Sequence, residues 1–223
     1  MGDILSSATP AANTFPVKIG IIIGSQRTPR AGDQIATWVL SILEEYQANT
    51  PLEGSTSRPY SLHLIDLNDH PLPLFNEPGI PSRITSSSEY THAHTREWSQ
   101  FISSFAGFVF VTPQYNWGYP ASLKNAIDYL FNEWKGKPAM VVSYGGHGGG
   151  KAAQGLKVVL QGLRMRLVDE HVELVIGGMD EMKKAARGRP LGLDGEHGRK
   201  IWVPESAQIG LRWEKFLELL NQR

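Results

Sequence analysis

The 223-residue sequence contains no cysteine. That removes disulfide frameworks, thiolate zinc sites, iron–sulfur clusters and cysteine nucleophiles. It also lacks a surplus of charge, with 22 Lys and Arg against 22 Asp and Glu. A dedicated nucleic-acid binder needs a basic surplus for phosphate contacts, so no nucleic-acid partner is expected, although a small anionic ligand needs only a local positive site. No stretch approaches the roughly 18 apolar residues of a membrane helix, so no membrane partner is expected. The opening MGDILSSATPAANTFP has neither the basic start nor the apolar run of a secretory signal. Gly2 and Ser6 have myristoylation spacing, but Asp3 follows the glycine, and residues 1–16 are read as a flexible polar leader of a cytoplasmic protein. Apolar residues at 41% and charged ones at 20% are ordinary for a globular chain, and residues 17–223 suit one domain.

What is present is an alternation of strand and helix signals. Residues 17–23 form a β-branched run ended by Gly24-Ser25, which reads as a buried strand. A helix follows from a start near 30–33, with Ile35, Val39, Ile42, Leu43 and Tyr46 at helical spacing. A loop is expected over 48–59, a second strand over 61–66, and a long proline-punctuated loop over 69–88. Further helices are expected over 88–104, 121–133, 151–163 and 205–220, and strands over 107–112, 138–143 and 166–175. Near-continuous apolar strands suit a parallel sheet covered on both faces. The economical architecture is a parallel α/β sandwich with right-handed crossovers. In such folds ligands bind beyond the carboxyl ends of the strands, which directs attention to the loops after strands one, three and four.

The first of these loops, Gly24-Ser25-Gln26-Arg27-Thr28-Pro29-Arg30, joins a strand to a helix. Backbone N–H groups at the helix start, small hydroxyls and two arginines suit a phosphate, although Ser and Thr there could equally cap the helix. The second, Thr112 to Pro120, places Tyr115, Trp117 and Tyr119 at the mouth of the sheet, where a planar ligand would find stacking faces. The third, Ser143 to Lys151, is glycine-rich, and a backbone without side chains can approach a ligand closely. From Gly145 to Lys151 it has the GxxxxGK spacing, but Ala152 stands where that motif needs a hydroxyl for magnesium, which argues against a nucleotide triphosphatase.

Gly-Ser-Gln-Arg after the first strand, Thr-Pro-Gln-Tyr-Asn after the third, Leu-Lys-Asn-Ala-Ile-Asp-Tyr at 123–129 and Ser-Tyr-Gly-Gly-His-Gly-Gly after the fourth together resemble the NADPH-dependent FMN reductases, which include quinone reductases and azoreductases. The resemblance implies a flavodoxin-like three-layer α/β sandwich with a five-stranded parallel sheet in the order 2-1-3-4-5. It implies FMN as cofactor, with Gly24, Ser25, Gln26, Arg27 and Arg30 at its phosphate. Pro113, Gln114, Tyr115, Asn116 and Trp117 would border the ring, and Ser143, Tyr144, Gly145 and Gly146 would approach its pyrimidine side. No protein residue need act as a catalytic acid or base, because the flavin carries the hydride chemistry. NADPH would reduce it and leave before a quinone, free flavin or other flat aromatic acceptor takes the same place. The alternative is an electron carrier or redox-sensing flavoprotein working through protein partners. A homodimer or homotetramer is expected by the same resemblance.

Other residues take plainer readings. Trp38, Trp98, Trp134 and Trp213 are expected in the core or at subunit contacts. His92 and His94, two apart on an expected helix, should face apart and make a poor metal pair. Residues 183–204 form an expected basic loop insertion with a local surplus of four positive charges between Lys183 and Lys200. It reads as a solvated loop, with a field able to steer NADPH.

Overall fold

The computed structural model describes residues 15–50, 58–193 and 201–222. The expected leader therefore lies outside the described residues apart from its last two positions, as do residues 51–57 of the loop expected over 48–59 and 194–200 of the basic insertion. The elements run β1 (Val17–Ile23), α1 (Gly32–Asn49), β2 (Tyr60–Asp66), α2 (Ala93–Ser103), β3 (Phe105–Pro113), α3 (Ala121–Asp128), β4 (Pro138–Gly145), α4 (Gly150–Gly162), β5 (Arg166–Leu167), β6 (Val172–Val175), α5 (Met179–Ala186) and α6 (Val203–Asn221).

All strand pairings are parallel, in the order β2-β1-β3-β4-β5, with β6 also paired to β4. The expected fifth strand is thus two segments in one edge position. β5 pairs with Pro138 and Ala139, and β6 with residues from Val142 to Gly145. The interruption falls at Asp169 and Glu170, whose exposed side chains leave the edge while Val168 and Val172 stay buried. A continuous ten-residue strand would have had to bury one of the two acids.

β1 and β3 are central and buried on both faces, which is why they read as unbroken apolar runs rather than alternating ones. Two cores result. On one face Ile19, Ile21, Val109, Val111 and Met140 meet α1 and α6 through Ile35, Val39, Trp213 and Phe216. On the other, Ile22, Phe108, Phe110 and Val141 meet α2, α3 and α4 through Trp98, Ile102, Leu123, Ile127 and Leu156. Trp38, Trp98, Trp134 and Trp213 are all buried, as expected. Trp213 stacks on Phe216 with centroids 4.7 Å apart and meets Tyr60 edge-on at 5.5 Å. Such aromatic pairs each add about 1 kcal/mol beyond area burial.

Two helices are shorter than their periodicity suggested. α2 begins at Ala93, because Glu77 from the long loop takes the N–H groups of Thr91 and His92 and fixes a start there. Residues 87–89 form a separate 3₁₀ turn. α3 ends at Asp128, and the chain then turns so that Glu133 and Trp134 both go inside, Glu133 accepting from Tyr90 and Ser99. His92 precedes α2 instead of lying in it, so its ring stacks on that of His94 at 5.1 Å, contrary to the facing-apart expectation. Among the described residues no group of His, Asp and Glu could hold a metal.

Candidate functional site

The loops after β1, β3 and β4 open at the carboxyl end of the sheet, and side chains tie each to the next. Gly24 leaves β1 with its N–H donating to Val111 O at 2.8 Å, and an added Cβ would come within 3.0 Å of that oxygen. Ser25, 1% exposed, shares a 2.7 Å hydrogen bond with the Tyr115 hydroxyl, joining the first loop to the second. Gln26 donates from Nε2 to Leu67 O at 2.7 Å. Arg27 is exposed, lies over the Tyr115 ring at 5.9 Å from the centroid, and donates to the carbonyls of Pro29 and Ala186. The backbone N–H groups of Ser25, Gln26, Arg27 and Thr28 have no partner among the described residues. They sit just before the N-terminus of α1, whose N-cap residue Ala31 supplies no side-chain cap. Free amides at a helix start are the physical requirement of a phosphate site.

Arg30 stands apart from the other expected phosphate residues. Its guanidinium pairs with both Asp66 oxygens and donates to Ser25 O at 2.6 Å. The hydrogen bond to Asp66 raises its pKa further, so it is a permanent cation already neutralised from behind the loop. Burial pushes the Asp66 carboxyl up, but the hydrogen bonds from Arg30 and from the Asn68 N–H outweigh this and hold it below the ordinary carboxylate value. Arg30 therefore braces the loop. Asp66, at the end of β2, was not singled out in the sequence because nothing local marks it.

In the second loop Pro113 ends β3 opposite Tyr144. The Gln114 N–H donates to Tyr144 O at 3.0 Å, and its side-chain Oε1 accepts from the N–H groups of Lys151 and Ala152 at 3.1 and 3.2 Å. The first turn of α4 is thus satisfied by protein, which removes the phosphate-loop reading of Gly145 to Lys151. Tyr115 and Gly118 exchange backbone hydrogen bonds of 2.8 and 3.0 Å around a tight turn. Its corner residues Asn116 and Trp117 have φ of 46° and 67°. The left-handed region is tolerable for Asn but costly for a bulky residue such as Trp. Trp117 is also 68% exposed, and its ring lies 6.0 Å from that of His147 in the third loop.

In the third loop Ser143 is fully buried and donates to Gly148 O at 2.9 Å, so its hydroxyl serves the turn. Tyr144 is also buried, which pushes its phenol up. Its hydroxyl comes so close to Gly32 that a Cβ there would lie 2.6 Å away. Gly145 and Gly146 are open: an added Cβ would meet nothing nearer than Gln114 at 3.8 Å and Met182 at 3.4 Å respectively. Side chains at these positions would fill the space between the second and third loops. Free amides in the first loop and an uncovered glycine backbone in the third fit a bound flavin mononucleotide.

One wall of the site was not anticipated. Residues 183 and 184, expected in a loop, belong to α5. Met182 of this helix packs on Gly146, and Ala186 accepts from Arg27. Its apolar residues Met179, Met182, Ala185 and Ala186 recur at helical spacing, the signal that could have found it among the charges of Asp180, Glu181, Lys183 and Lys184.

A 2-1-3-4-5 parallel sheet carrying these loops defines a flavodoxin-like protein of the flavin-binding class. Residues 17–177 match the family model described as NADPH-dependent FMN reductase. The chain is 46% identical over 154 residues to the NAD(P)H-dependent FMN reductase LOT6 of Saccharomyces cerevisiae, covering 68% of this chain and 78% of that one. It is 34% identical over 208 residues to the NAD(P)H-dependent FMN reductase ntnL of Nectria sp, covering 92% and 98%. Among solved structures, the NAD(P)H:acceptor oxidoreductase FerB of Paracoccus denitrificans shares the fold, with a TM-score of 0.60 at 18% identity over 92% of this chain and 97% of that one. The chain belongs to the NADPH-dependent FMN reductase family, and is an FMN- and NAD(P)H-dependent oxidoreductase.

Proposed function

We propose that this enzyme passes reducing equivalents from NAD(P)H through FMN to a quinone, free flavin or similar flat aromatic acceptor, the two substrates using one face of the site in turn. FMN, when bound, supplies the hydride chemistry. The protein's part is to bind, orient and shield. The free N–H groups of residues 25–28, with Gly24 allowing their close approach, would take the phosphate. Arg27 would add charge at the loop's rim, whereas Arg30 holds the loop's shape through Ser25 O. Backbone of the 113–117 segment would line the ring edge, and the open backbone of Gly145 and Gly146 would lie along its other side. Gln114 and Ser143 act by fixing the loops, since their side chains are engaged with α4 and Gly148.

The observation that carries the acceptor reading is the exposed Trp117 beside His147, two rings from different loops at the mouth of the site. An indole held outward at positive φ offers a stacking face to whichever flat molecule enters. A cytoplasmic homodimer or homotetramer belongs to the same reading, and sedimentation of the FMN-loaded protein tests the assembly.

The function is tested by an anaerobic visible spectrum. The flavin absorbance should bleach on adding NADPH and return on adding a quinone. A bound flavin that NADPH leaves oxidised would overturn the enzyme reading in favour of an electron carrier. A flavin bleached by NADPH but not restored by quinones would overturn the acceptor.

A further inference from the structure

The three-residue stretch Arg187-Gly188-Arg189 follows α5 and lies beyond the residues matched by the family model. It is held against the first loop from two sides. Gly188 has φ of 60°, and a Cβ on it would lie 2.9 Å from Pro29 Cβ and 3.0 Å from Arg30 O, so only glycine fits this contact. Gln34, in the first turn of α1, donates to Gly188 O and Arg189 O at 3.5 and 3.2 Å and accepts from the Leu191 N–H at 2.9 Å. Its neighbours Arg187 and Arg189 are thereby fixed at the rim of the phosphate loop.

Their charges are unspent. Lys183 and Lys184, one turn earlier, pair with Asp180 and Glu181 at 3.6 and 2.7 Å and also complement the carboxyl end of α5. Arg187 and Arg189 are exposed and have no acidic partner among the described residues. Two exposed guanidiniums on a clamped backbone suit a phosphate monoester that arrives and leaves with solvent access. The buried side of the loop already has free amides for a resident phosphate.

We infer that Arg187 and Arg189 form a subsite for the 2′-phosphate of NADPH and make the enzyme select NADPH over NADH. The inference rests on the NAD(P)H oxidoreductase reading and adds the residues that discriminate between the two nucleotides.

The test uses FMN-loaded protein, titrated calorimetrically with adenosine 2′,5′-bisphosphate and with 5′-AMP, alongside kcat/KM for NADPH and NADH. The wild type should bind the bisphosphate more tightly than 5′-AMP. Each of Arg187→Ala and Arg189→Ala should cut that preference about tenfold, the effect of one lost charge-assisted hydrogen bond. The NADPH-to-NADH ratio should fall in parallel, and the double lysine variant should restore part of it as point charges without the guanidinium fork. Equal affinity of the wild type for the two adenosine ligands would overturn the inference. So would variants that raise the FMN dissociation constant while leaving the nucleotide preference intact, which would assign the arginines to the flavin phosphate. A wild type that binds the bisphosphate through these arginines yet oxidises neither nucleotide would overturn the oxidoreductase reading and leave the subsite standing.

Discussion

Replacing Arg30 with Met separates a brace from a ligand. Arg30 and Asp66 are 12% and 23% exposed at their side chains, so Arg30→Met strands a carboxylate that keeps only the Asn68 N–H as partner. Breaking a buried pair costs about 3–5 kcal/mol, and the residual solvent access here brings the expectation to about 2–3 kcal/mol. Asp66→Asn leaves Arg30 one carbonyl and a neutral acceptor, at a cost of about 1–2 kcal/mol. With both changed, no charge is stranded, so the double variant should be less destabilised than the sum of the singles by about 1.5–2 kcal/mol. Urea unfolding of the FMN-free protein measures all three. FMN titration by fluorescence quenching should show the same ranking, since Arg30 reaches the loop only through Ser25 O. A coupling below about 0.5 kcal/mol would refute the brace. So would an Arg30→Met variant of unchanged apoprotein stability that binds FMN at least tenfold more weakly, because that is how a phosphate ligand behaves.

Gln114→Leu removes the acceptor for the Lys151 and Ala152 N–H groups and should destabilise the protein by about 1–2 kcal/mol, the worth of a helix cap; unchanged urea midpoints would refute that role. Trp117→Gly should relieve left-handed strain, stabilising the protein by up to about 1 kcal/mol, while raising KM for a quinone. An unchanged quinone KM would refute the stacking role of the indole. Burial alone would raise the carboxyls of Asp66 and Glu77, but the hydrogen bonds from Arg30 and Asn68 to the first, and from the Thr91 and His92 N–H groups to the second, leave both below their ordinary values. Their contribution to stability is then full above about pH 5 and drains away as pH falls through the ordinary carboxylate values to the lower folded-state ones. Urea midpoints of the wild type should fall as pH drops below about 5, and those of Asp66→Asn should fall less over the same range; equal declines in the two would refute the sign.

The sheet was legible because burial on both faces leaves a mark that survives in one dimension. Ile19–Ile23 and Gly107–Pro113 are buried throughout, so their side chains on both faces of the sheet are shielded and almost all of them are apolar. The edge was less legible for the complementary reason. Residues 166–175 contain enough apolar positions for a strand, but only pairing with β4 decides where an exposed pair of acids breaks it. The start of α2 was missed because the contact that sets it comes from a distance: Glu77, 16 residues before the first residue of the helix, holds the N–H groups of Thr91 and His92 just ahead of it, and no local spacing announces it.

The same division runs through the site. Groups that would meet a ligand on the proposed function are backbone amides and glycines, and they fall in short contiguous motifs, Gly24 to Thr28 and Gly145 to Gly146, that the sequence displays directly. The groups that hold those motifs in place are single side chains from other elements: Asp66 behind the first loop, Gln34 under residues 188–191, and Gln114 across to α4. Gln114 and Arg30 lie inside recognisable motifs, the first expected to border the ring largely through its backbone and the second to add to the phosphate contacts, but a motif records which residues occur together and not which way each side chain faces. In the structure both side chains are engaged with other parts of the protein, Arg30 with Ser25 O and Asp66 and Gln114 with the first turn of α4. On the proposed function, what remains facing outward, Arg27, Trp117, His147 and the Arg187–Arg189 pair, is where substrate preference would have freedom to vary without disturbing the loops proposed to hold the flavin.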